Sequence, residues 1–205
     1  MRGVNETPPA DIAKTALPPA PGAERYRSLD FADTTATLPA GQGYDLLAAP
    51  ESAMHWLTAH DLTTPDVQLY EVCAQRMRTL RGHIRALFTA RVDATTPPEE
   101  SLHAVNEALT AVPTAPLLAW DGAQGLRRIH AHPTDQAVNH ALATLAADAA
   151  DLLTGPDAGL LAACGSAPCD RFLLRTHGRR LWCSTRCGDR ARAARAYARR
   201  SSGAD

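Results

Sequence analysis

Residues 164–187 read CGSAPCDRFLLRTHGRRLWCSTRC and contain two closely spaced cysteine pairs. The cysteines follow the pattern C-x4-C-x13-C-x3-C, in which each pair supplies two thiolates and the two pairs complete a tetrahedron around zinc. Four thiolates leave no open coordination position, so the sequence predicts one structural Zn²⁺ and argues against hydrolytic zinc chemistry. The predicted ligands are Cys164, Cys169, Cys183 and Cys187.

An arginine-rich helix is predicted directly after the second cysteine pair. Ser184 is a suitable N-cap, and Cys187 then lies in the first turn, where the partial positive charge of a helix N-terminus favours a thiolate. The small residues on the face of Cys187, within 191–198, are expected to let the helix pack closely on the zinc core. Asp189 is the only acidic residue of the helix, which favours polyanion binding over a solvated charged face. The arginines expected to contact nucleic acid are Arg186, Arg190, Arg192, Arg195, Arg199 and Arg200.

The residues between the cysteine pairs are predicted to form a β-hairpin. Its strands are expected at 171–175 and 180–182, with His177-Gly178 as the turn. Two knuckles, a hairpin and a terminal helix are the layout of a treble-clef-like zinc finger, which we place at residues 160–200. The alternative is that zinc only holds a short tail together.

Charge is divided unevenly along the chain, whose net charge is −1 over 205 residues. Residues 1–163 carry 11 basic and 19 acidic side chains, whereas residues 164–205 carry 10 arginines and 3 aspartates. An acidic body with a basic end favours a polyanionic partner for that end. The chain shows neither a signal-peptide pattern nor an apolar run long enough to span a membrane, and its cysteines are paired as for a metal, so we expect a cytoplasmic protein.

The rest of the chain is predicted to be mainly helical. Residues 1–24 contain five prolines and are expected to form a disordered, Pro/Ala-rich arm. Residues 25–157 carry apolar side chains at three- and four-residue steps, which indicates helices. The first expected element is a strand or first helical turn at 29–34. Helices are expected at 52–62, from Thr64-Pro65-Asp66 to Arg91, from 98–101 onward and at 135–153. A β-hairpin is expected within 117–132. The predicted fold class is therefore α+β, a mainly helical N-terminal domain with a small β-hairpin, followed by the finger.

Several other residues are assigned no chemical role. Cys73 lies on the apolar stripe of the long helix and is interpreted as core packing. His130 and His132 share a face of a predicted strand, but no third ligand is near them in sequence, so a metal pair is not favoured. The sequence contains no phosphate-binding glycine loop, nucleophile elbow or metalloprotease helix, and we expect no enzyme activity.

Two parts of the chain resemble known bacterial families over residues 26–200. Cys164-x4-Cys169, Trp182-Cys183-Ser184 and the segment 187–192 resemble the CGNR zinc finger. The segment 28–34, SLDFADT, resembles the opening Leu-Asp-Phe-x-Asn-Thr motif of the ABATE domain. The resemblance implies a stress-induced transcriptional regulator in which the same four cysteines bind zinc and the finger binds DNA.

The sequence departs from the family pattern at two positions. Asp33 stands in place of the asparagine of the ABATE motif, and Asp189 in place of the asparagine of the finger signature. An ionised Asp189 cannot donate a hydrogen bond to a base or a phosphate. We therefore expect it to orient Arg190 or Arg186, or to cap the start of the helix.

The leading hypothesis is a DNA-binding transcriptional regulator whose helical domain senses a small-molecule effector or mediates dimerisation. A homodimer is expected because one small finger reads few base pairs. The alternative is a protein-interaction adaptor whose finger docks an acidic partner. RNA binding ranks lower, since Phe172, Trp182 and Tyr197 offer little stacking surface.

Overall fold

The structure is a computed structural model that describes residues 17–112, 117–129 and 136–202. The helices are α1 (Arg27–Ala32), α2 (Pro50–Ala59), α3 (Glu71–Asp93), α4 (Glu99–Thr110), α5 (Ala137–Thr154) and α6 (Thr185–Ser202). The strands are β1 (Thr35–Thr37), β2 (Gly43–Asp45), β3 (Leu117–Asp121), β4 (Gly125–Ile129), β5 (Leu161–Ala163) and β6 (Phe172–Leu174). They form three antiparallel pairs, β1–β2, β3–β4 and β5–β6, so the predicted α+β class is confirmed.

Helix α3 is the centre of the core. It packs against α1, α2, α4, α5 and strand β5, because apolar side chains recur along it at helical spacing. Its fully buried residues include Ala74, Met77, Ile84 and Phe88. The helix ends where Ala94 adopts the left-handed conformation, with φ 53°.

The predicted start of the long helix at Thr64-Pro65-Asp66 is wrong. The amide of Val67 donates to the carbonyl of Thr64 at 3.3 Å, so these residues form a turn, for which proline and aspartate are equally suited. Helix α3 begins seven residues after Thr64, at Glu71. The segment around Asp30, predicted as a strand or a helical turn, is helix α1 followed by strand β1.

The pairing predicted inside the finger is also wrong. Strand β6 pairs with β5, which precedes the first cysteine, with Leu161 opposite Leu174 and Ala163 opposite Phe172. Residues 180–182 form no strand; instead the carbonyl of Leu181 accepts the amide of Gly165 at 2.8 Å. Consequently the finger's sheet pairs β6 with the strand that precedes the first cysteine, and not with a second strand between the two cysteine pairs.

Strands β5 and β6 join the finger to the main core. Leu161, Phe172 and Leu174 belong to the same buried cluster as the residues of α3. The ring of Phe172 meets that of Phe88 edge to face, with centroids 5.5 Å apart. The two parts that the sequence separates at 157–160 therefore share one core.

Part of the predicted disordered arm is packed against the finger. Leu17 and Ala20 are buried in the cluster that contains the four paired cysteines, and the carbonyl of Pro21 accepts the amide of Leu174 at 2.7 Å. Gly22 has φ +99°, and a Cβ there would lie 2.5 Å from Cγ of Leu174. The prediction of disorder is thus wrong for residues 17–24, while residues 1–16 lie outside the described residues.

The predicted β3–β4 hairpin is confirmed from Leu117 to Ile129. Its turn ends at Gly125, which has φ +77° and so occupies the left-handed region that favours glycine. His130 and His132, at the predicted end of the hairpin, lie outside the described residues. In the part of the chain that the structure describes, no helix has the length and apolar character needed to cross a membrane.

Candidate metal centre and nucleic-acid interface

The four predicted zinc ligands converge. Their sulfur atoms all lie within 4.8 Å of one another and all four residues are buried. The Sγ atoms of Cys183 and Cys187 are 3.6 Å apart, and those of Cys169 and Cys183 are 3.8 Å apart. A Zn–S bond of about 2.3 Å requires sulfurs roughly 3.8 Å apart in a tetrahedron. The site therefore fits a single zinc ion.

Backbone hydrogen bonds shape the two knuckles. In the first, the amide of Cys169 donates to the carbonyl of Ser166 at 3.0 Å. In the second, the amide of Cys187 donates to Oγ of Ser184 at 3.2 Å, which is the N-cap expected from the sequence. The amide of Cys183 donates to Sγ of Cys164 at 3.4 Å and so joins the knuckles.

The clustered thiols prepare the site for a cation. Hydrogen bonds from Cys169 and Cys183 lower the pKa of Cys164. Hydrogen bonding to Cys164 in turn raises the pKa of Cys169 and of Cys183. Because only thiolates coordinate zinc, binding of the metal at these cysteines releases protons.

Two arginines face the sulfur atoms. Nη1 of Arg171 lies 3.9 Å from Sγ of Cys183, and Nη2 of Arg190 lies 3.7 Å from Sγ of Cys187. Because Zn²⁺ with four thiolates has a formal charge of −2, the guanidinium groups offset that charge. Arg190 also donates to the carbonyl of Ser166 at 2.6 Å, so it connects α6 to the first knuckle.

Arg171 is paired with Asp33 inside the protein. Arg171 and Asp33 are only 1% and 3% exposed, and Nε of Arg171 donates to Oδ2 of Asp33 at 3.0 Å. The amide of Phe172 donates to Oδ1 of Asp33 at 2.8 Å. Burial raises the pKa of Asp33 to about 7, whereas Arg171 and the Phe172 amide act to lower it. Arg171 and the Phe172 amide therefore favour the charged carboxylate and partly offset the effect of burial on this pKa.

Two arginines of α3 add further bonds at this junction. Arg85 donates to the carbonyl of Ala32 at 2.7 Å and to that of Asp170 at 2.8 Å. Arg81 is buried and makes two hydrogen bonds to the carboxylate of Asp45, at 2.6 and 2.7 Å. Arg81 lies on the buried side of α3, one helical turn from Met77 and Ile84, and Arg85 lies beside it at the margin of that face, so both arginines are internal links.

Sequence reasoning missed the Asp33–Arg171 pair. Asp33 stood out only as a departure from the family asparagine, and Arg171 only as the start of a predicted strand. The available signal was an arginine two positions after Cys169 and directly before the apolar run 172–174. A charged side chain at the edge of a buried strand is costly to bury unless a counter-charge or a hydrogen-bond acceptor lies beside it.

The exposed surface of the finger is dominated by the arginines of α6. Arg192 and Arg195 lie over the ring of Trp182, at 5.3 and 5.4 Å from its centroid. Asp189 pairs with Arg192 at 2.6 Å, instead of the expected Arg190 or Arg186. Arg186, Arg199 and Arg200 are also exposed.

The expected close packing of α6 on the zinc core extends only through its first two turns. Cys187 and Gly188 are buried and Ala191 is half-buried, whereas Ala194 and Ala198 are exposed. A Cβ at Gly188 would lie 3.0 Å from the ring of Trp182, which shows how closely the helix approaches there. The C-terminal half of α6 therefore presents its side chains largely to solvent.

Two family models match the chain. The ABATE model, described as "Putative stress-induced transcription regulator", matches residues 27–156. The CGNR zinc finger model matches residues 161–200. No protein of curated function matches the chain. The matches confirm both resemblances inferred from the motifs, and neither family is described as an enzyme family.

Replacement of Asp33 by alanine is expected to cost about 3–5 kcal/mol of the free energy of unfolding, because it leaves the Arg171 guanidinium buried without a counter-charge. The matched control is Asp189→Ala, which removes the carboxylate of an exposed pair and should cost less than about 1 kcal/mol. Urea unfolding of the zinc-loaded proteins measures both values. Equal costs for the two variants would show that the buried pair does not stabilise the fold.

Proposed function

Because the chain belongs to the ABATE family and carries a CGNR zinc finger, we propose that it is a zinc-dependent, DNA-binding transcriptional regulator. The observation that carries the proposal is the exposed, arginine-rich surface of α6. This helix contains one acidic residue, Asp189, and that residue is paired with Arg192. The remaining arginines have no carboxylate within the helix to neutralise them. A cytoplasmic location is part of the same proposal.

The geometry of α6 suits a nucleic-acid duplex. Its 18 residues span about 27 Å, and an α-helix fits the major groove of B-DNA. Arg192, Arg195 and Arg199 recur at helical spacing along one face, so they can follow a phosphate backbone or reach base edges. We propose these three, with Arg186 and Arg200, as the DNA contacts.

Arg190 is assigned a different role from the other arginines. Its hydrogen bond to Ser166 and its contact with Cys187 place the guanidinium within the zinc knuckle. We therefore propose that Arg190 orients α6 relative to the metal and does not contact DNA.

The helical domain is proposed to bind a small-molecule effector where it meets the finger. A cleft of about 590 Å³ lies there, within the usual range of ligand sites. One wall carries the Asp30–His60 pair, whose Oδ2 and Nε2 are 2.9 Å apart, and the other carries His177 and Arg180. A ligand that contacts both walls would fix the orientation of the finger.

The effector proposal is tested by isothermal titration of the zinc-loaded protein with small carboxylic acids selected by thermal shift. Arg180→Ala is expected to weaken binding at least about tenfold, because the guanidinium lines the cleft and suits a carboxylate. Arg179→Ala is the matched control, since this neighbouring exposed arginine does not line the cleft. Equal affinities for the two variants, or no binding by any acid, would contradict the proposal.

Substitution of the α6 arginines is expected to weaken DNA binding without loss of zinc. Arg192→Ala, Arg195→Ala and Arg199→Ala should each lower affinity about fivefold or more and reduce the salt dependence of binding. The control is Arg91→Ala, an exposed arginine of α3. Fluorescence anisotropy, with fragments enriched by a genomic pull-down, measures affinity, and metal analysis verifies one zinc per chain.

The comparison of enriched and random DNA separates this proposal from the protein-adaptor alternative. A regulator binds the enriched fragment far more tightly than random DNA at the same salt concentration. Equal, weak binding to both would favour an adaptor whose arginines dock an acidic protein. If all three α6 variants bind DNA with the affinity of the wild type, α6 is not part of the DNA interface.

A further inference from the structure

A groove on the finger lies where the first zinc knuckle meets α6. Residues of β5, the knuckle and α6 line it, together with Arg175, Leu181 and Trp182. Its volume is about 470 Å³, which is within the usual range of small-molecule sites. It shares no lining residue with the cleft that carries Arg180, so it is a separate candidate site.

The charged side chains that line this groove all have the same sign. They are Arg175, Arg190 and Arg195, and no aspartate or glutamate lies among the lining residues. In the described part of the chain, none of the three forms an ion pair with a carboxylate. Three guanidinium groups without a counter-charge favour an anionic occupant.

Two of these arginines are held in place while most of their donors stay available. Nη2 of Arg175 donates to the carbonyl of Gly178 at 3.2 Å. Nε of Arg195 donates to the carbonyl of Ala191 at 3.2 Å, and its guanidinium lies 5.4 Å from the centroid of the Trp182 ring. Since each guanidinium carries five N–H donors, both arginines can still bind an anion.

The groove also contains polar groups that the protein itself leaves unsatisfied. Ser166 is only 3% exposed, and its Oγ has no hydrogen-bond partner among the described residues. The same holds for the buried Nε of Arg190, and both residues line the groove. Buried polar groups are nearly always hydrogen-bonded, because an unpaired one costs free energy. A ligand with acceptor oxygens would supply the missing partners.

Charge and shape together indicate the class of ligand. A phosphate monoester carries about −1.5 to −2 charges at pH 7 and three acceptor oxygens, so it matches three guanidinium groups better than a singly charged carboxylate does. Arginine also binds phosphate with two parallel hydrogen bonds. The rest of the lining includes the apolar side chains of Leu181, Ala191 and Ala194 and the indole of Trp182, which suit an apolar body on the ligand.

We propose that this groove binds a small phosphate monoester. Its phosphate oxygens accept hydrogen bonds from Arg175, Arg195 and the hydroxyl of Ser166, and its organic part contacts Leu181 and Trp182. A backbone phosphate of DNA is the other source of the same group. The burial of Ser166 favours the small anion, because a duplex backbone is a convex surface that rests against exposed side chains.

Occupation of the groove would affect the proposed DNA interface. Arg195 lines the groove and is also one of the proposed DNA contacts, so the bound monoester and DNA would compete for its guanidinium. This consequence rests on the proposed function, whereas the anion site itself does not.

An NMR chemical-shift titration of the zinc-loaded full chain, without DNA and at constant ionic strength in chloride, tests the site. Phenyl phosphate is expected to bind saturably and to shift the amides of 165–167 and 190–195. Inorganic phosphate should bind more weakly because it lacks the apolar body. Benzoate should shift these amides less than phenyl phosphate because it carries a single charge.

Two variants and a matched control identify the donors. Arg175→Ala should raise the dissociation constant of phenyl phosphate at least about tenfold. Ser166→Ala should raise it about fivefold without lowering the midpoint of urea unfolding, because its hydroxyl has no partner within the described protein. Arg179→Ala changes an exposed arginine that does not line the groove, and it should leave the dissociation constant unchanged.

The proposal is overturned if phenyl phosphate causes no saturable shift, or if the shifts are confined to the cleft around Arg180. It is also overturned if Arg175→Ala and Ser166→Ala bind phenyl phosphate as tightly as Arg179→Ala does. If no small phosphate binds but both variants weaken DNA binding, the groove belongs to a DNA backbone phosphate instead. Because the titration contains no DNA, failure of the DNA-binding proposal would not alter its result.

Discussion

The buried Asp33–Arg171 ion pair is the contact on which the relation between the helical body and the finger depends. Asp33 follows α1, and Arg171 lies between the first zinc knuckle and β6. The same guanidinium that binds Oδ2 of Asp33 at 3.0 Å approaches Sγ of Cys183 at 3.9 Å. Removing two charges from water is costly, so the pair is stable only while both the knuckle and the α1 end hold their geometry. Zinc and the helical core thereby stabilise the same junction.

This junction makes the finger an integral part of the fold. Strands β5 and β6, both within the finger segment, pair with each other and place Leu161, Phe172 and Leu174 in the main buried cluster of the helical body. Helix α6 starts at the second knuckle and is tied to the first by Arg190. A change in the body that moves Asp33 would therefore be transmitted through Arg171 to the zinc site and onward to the exposed arginines of α6. That route gives a physical basis for the proposed effector response, since the cleft with Asp30 and His60 lies beside it.

Local patterns predicted what depends on neighbours in sequence. The cysteine spacing identified the ligand set, the Ser184 cap was found from its position, and helical spacing located α3 and α5 because their buried faces recur along one segment. Most of the errors involve partners that are distant in sequence. Arg171 was interpreted only as the start of a strand, Arg190 as a nucleic-acid contact and residues 17–24 as an unpacked arm, and β6 was paired with residues 180–182 in place of β5. The periodicity within a segment carries no information about which distant carboxylate, sulfur atom or strand lies beside that segment in the fold. The helix start predicted at Thr64-Pro65-Asp66 was wrong for another reason, because the same tripeptide suits both a turn and the start of a helix.

Hydrogen exchange before and after zinc removal tests most directly whether the metal site and the helical body are one cooperative unit. In the zinc-loaded protein, amides of α1, β1 and β2 should be protected along with those of β6. After chelation, exchange should accelerate in the segment 27–47 as well as in 161–187, while α4, which lies away from the junction, retains its protection. Acceleration confined to 161–202, with 27–47 unchanged, would contradict the account and show that the finger folds on its own.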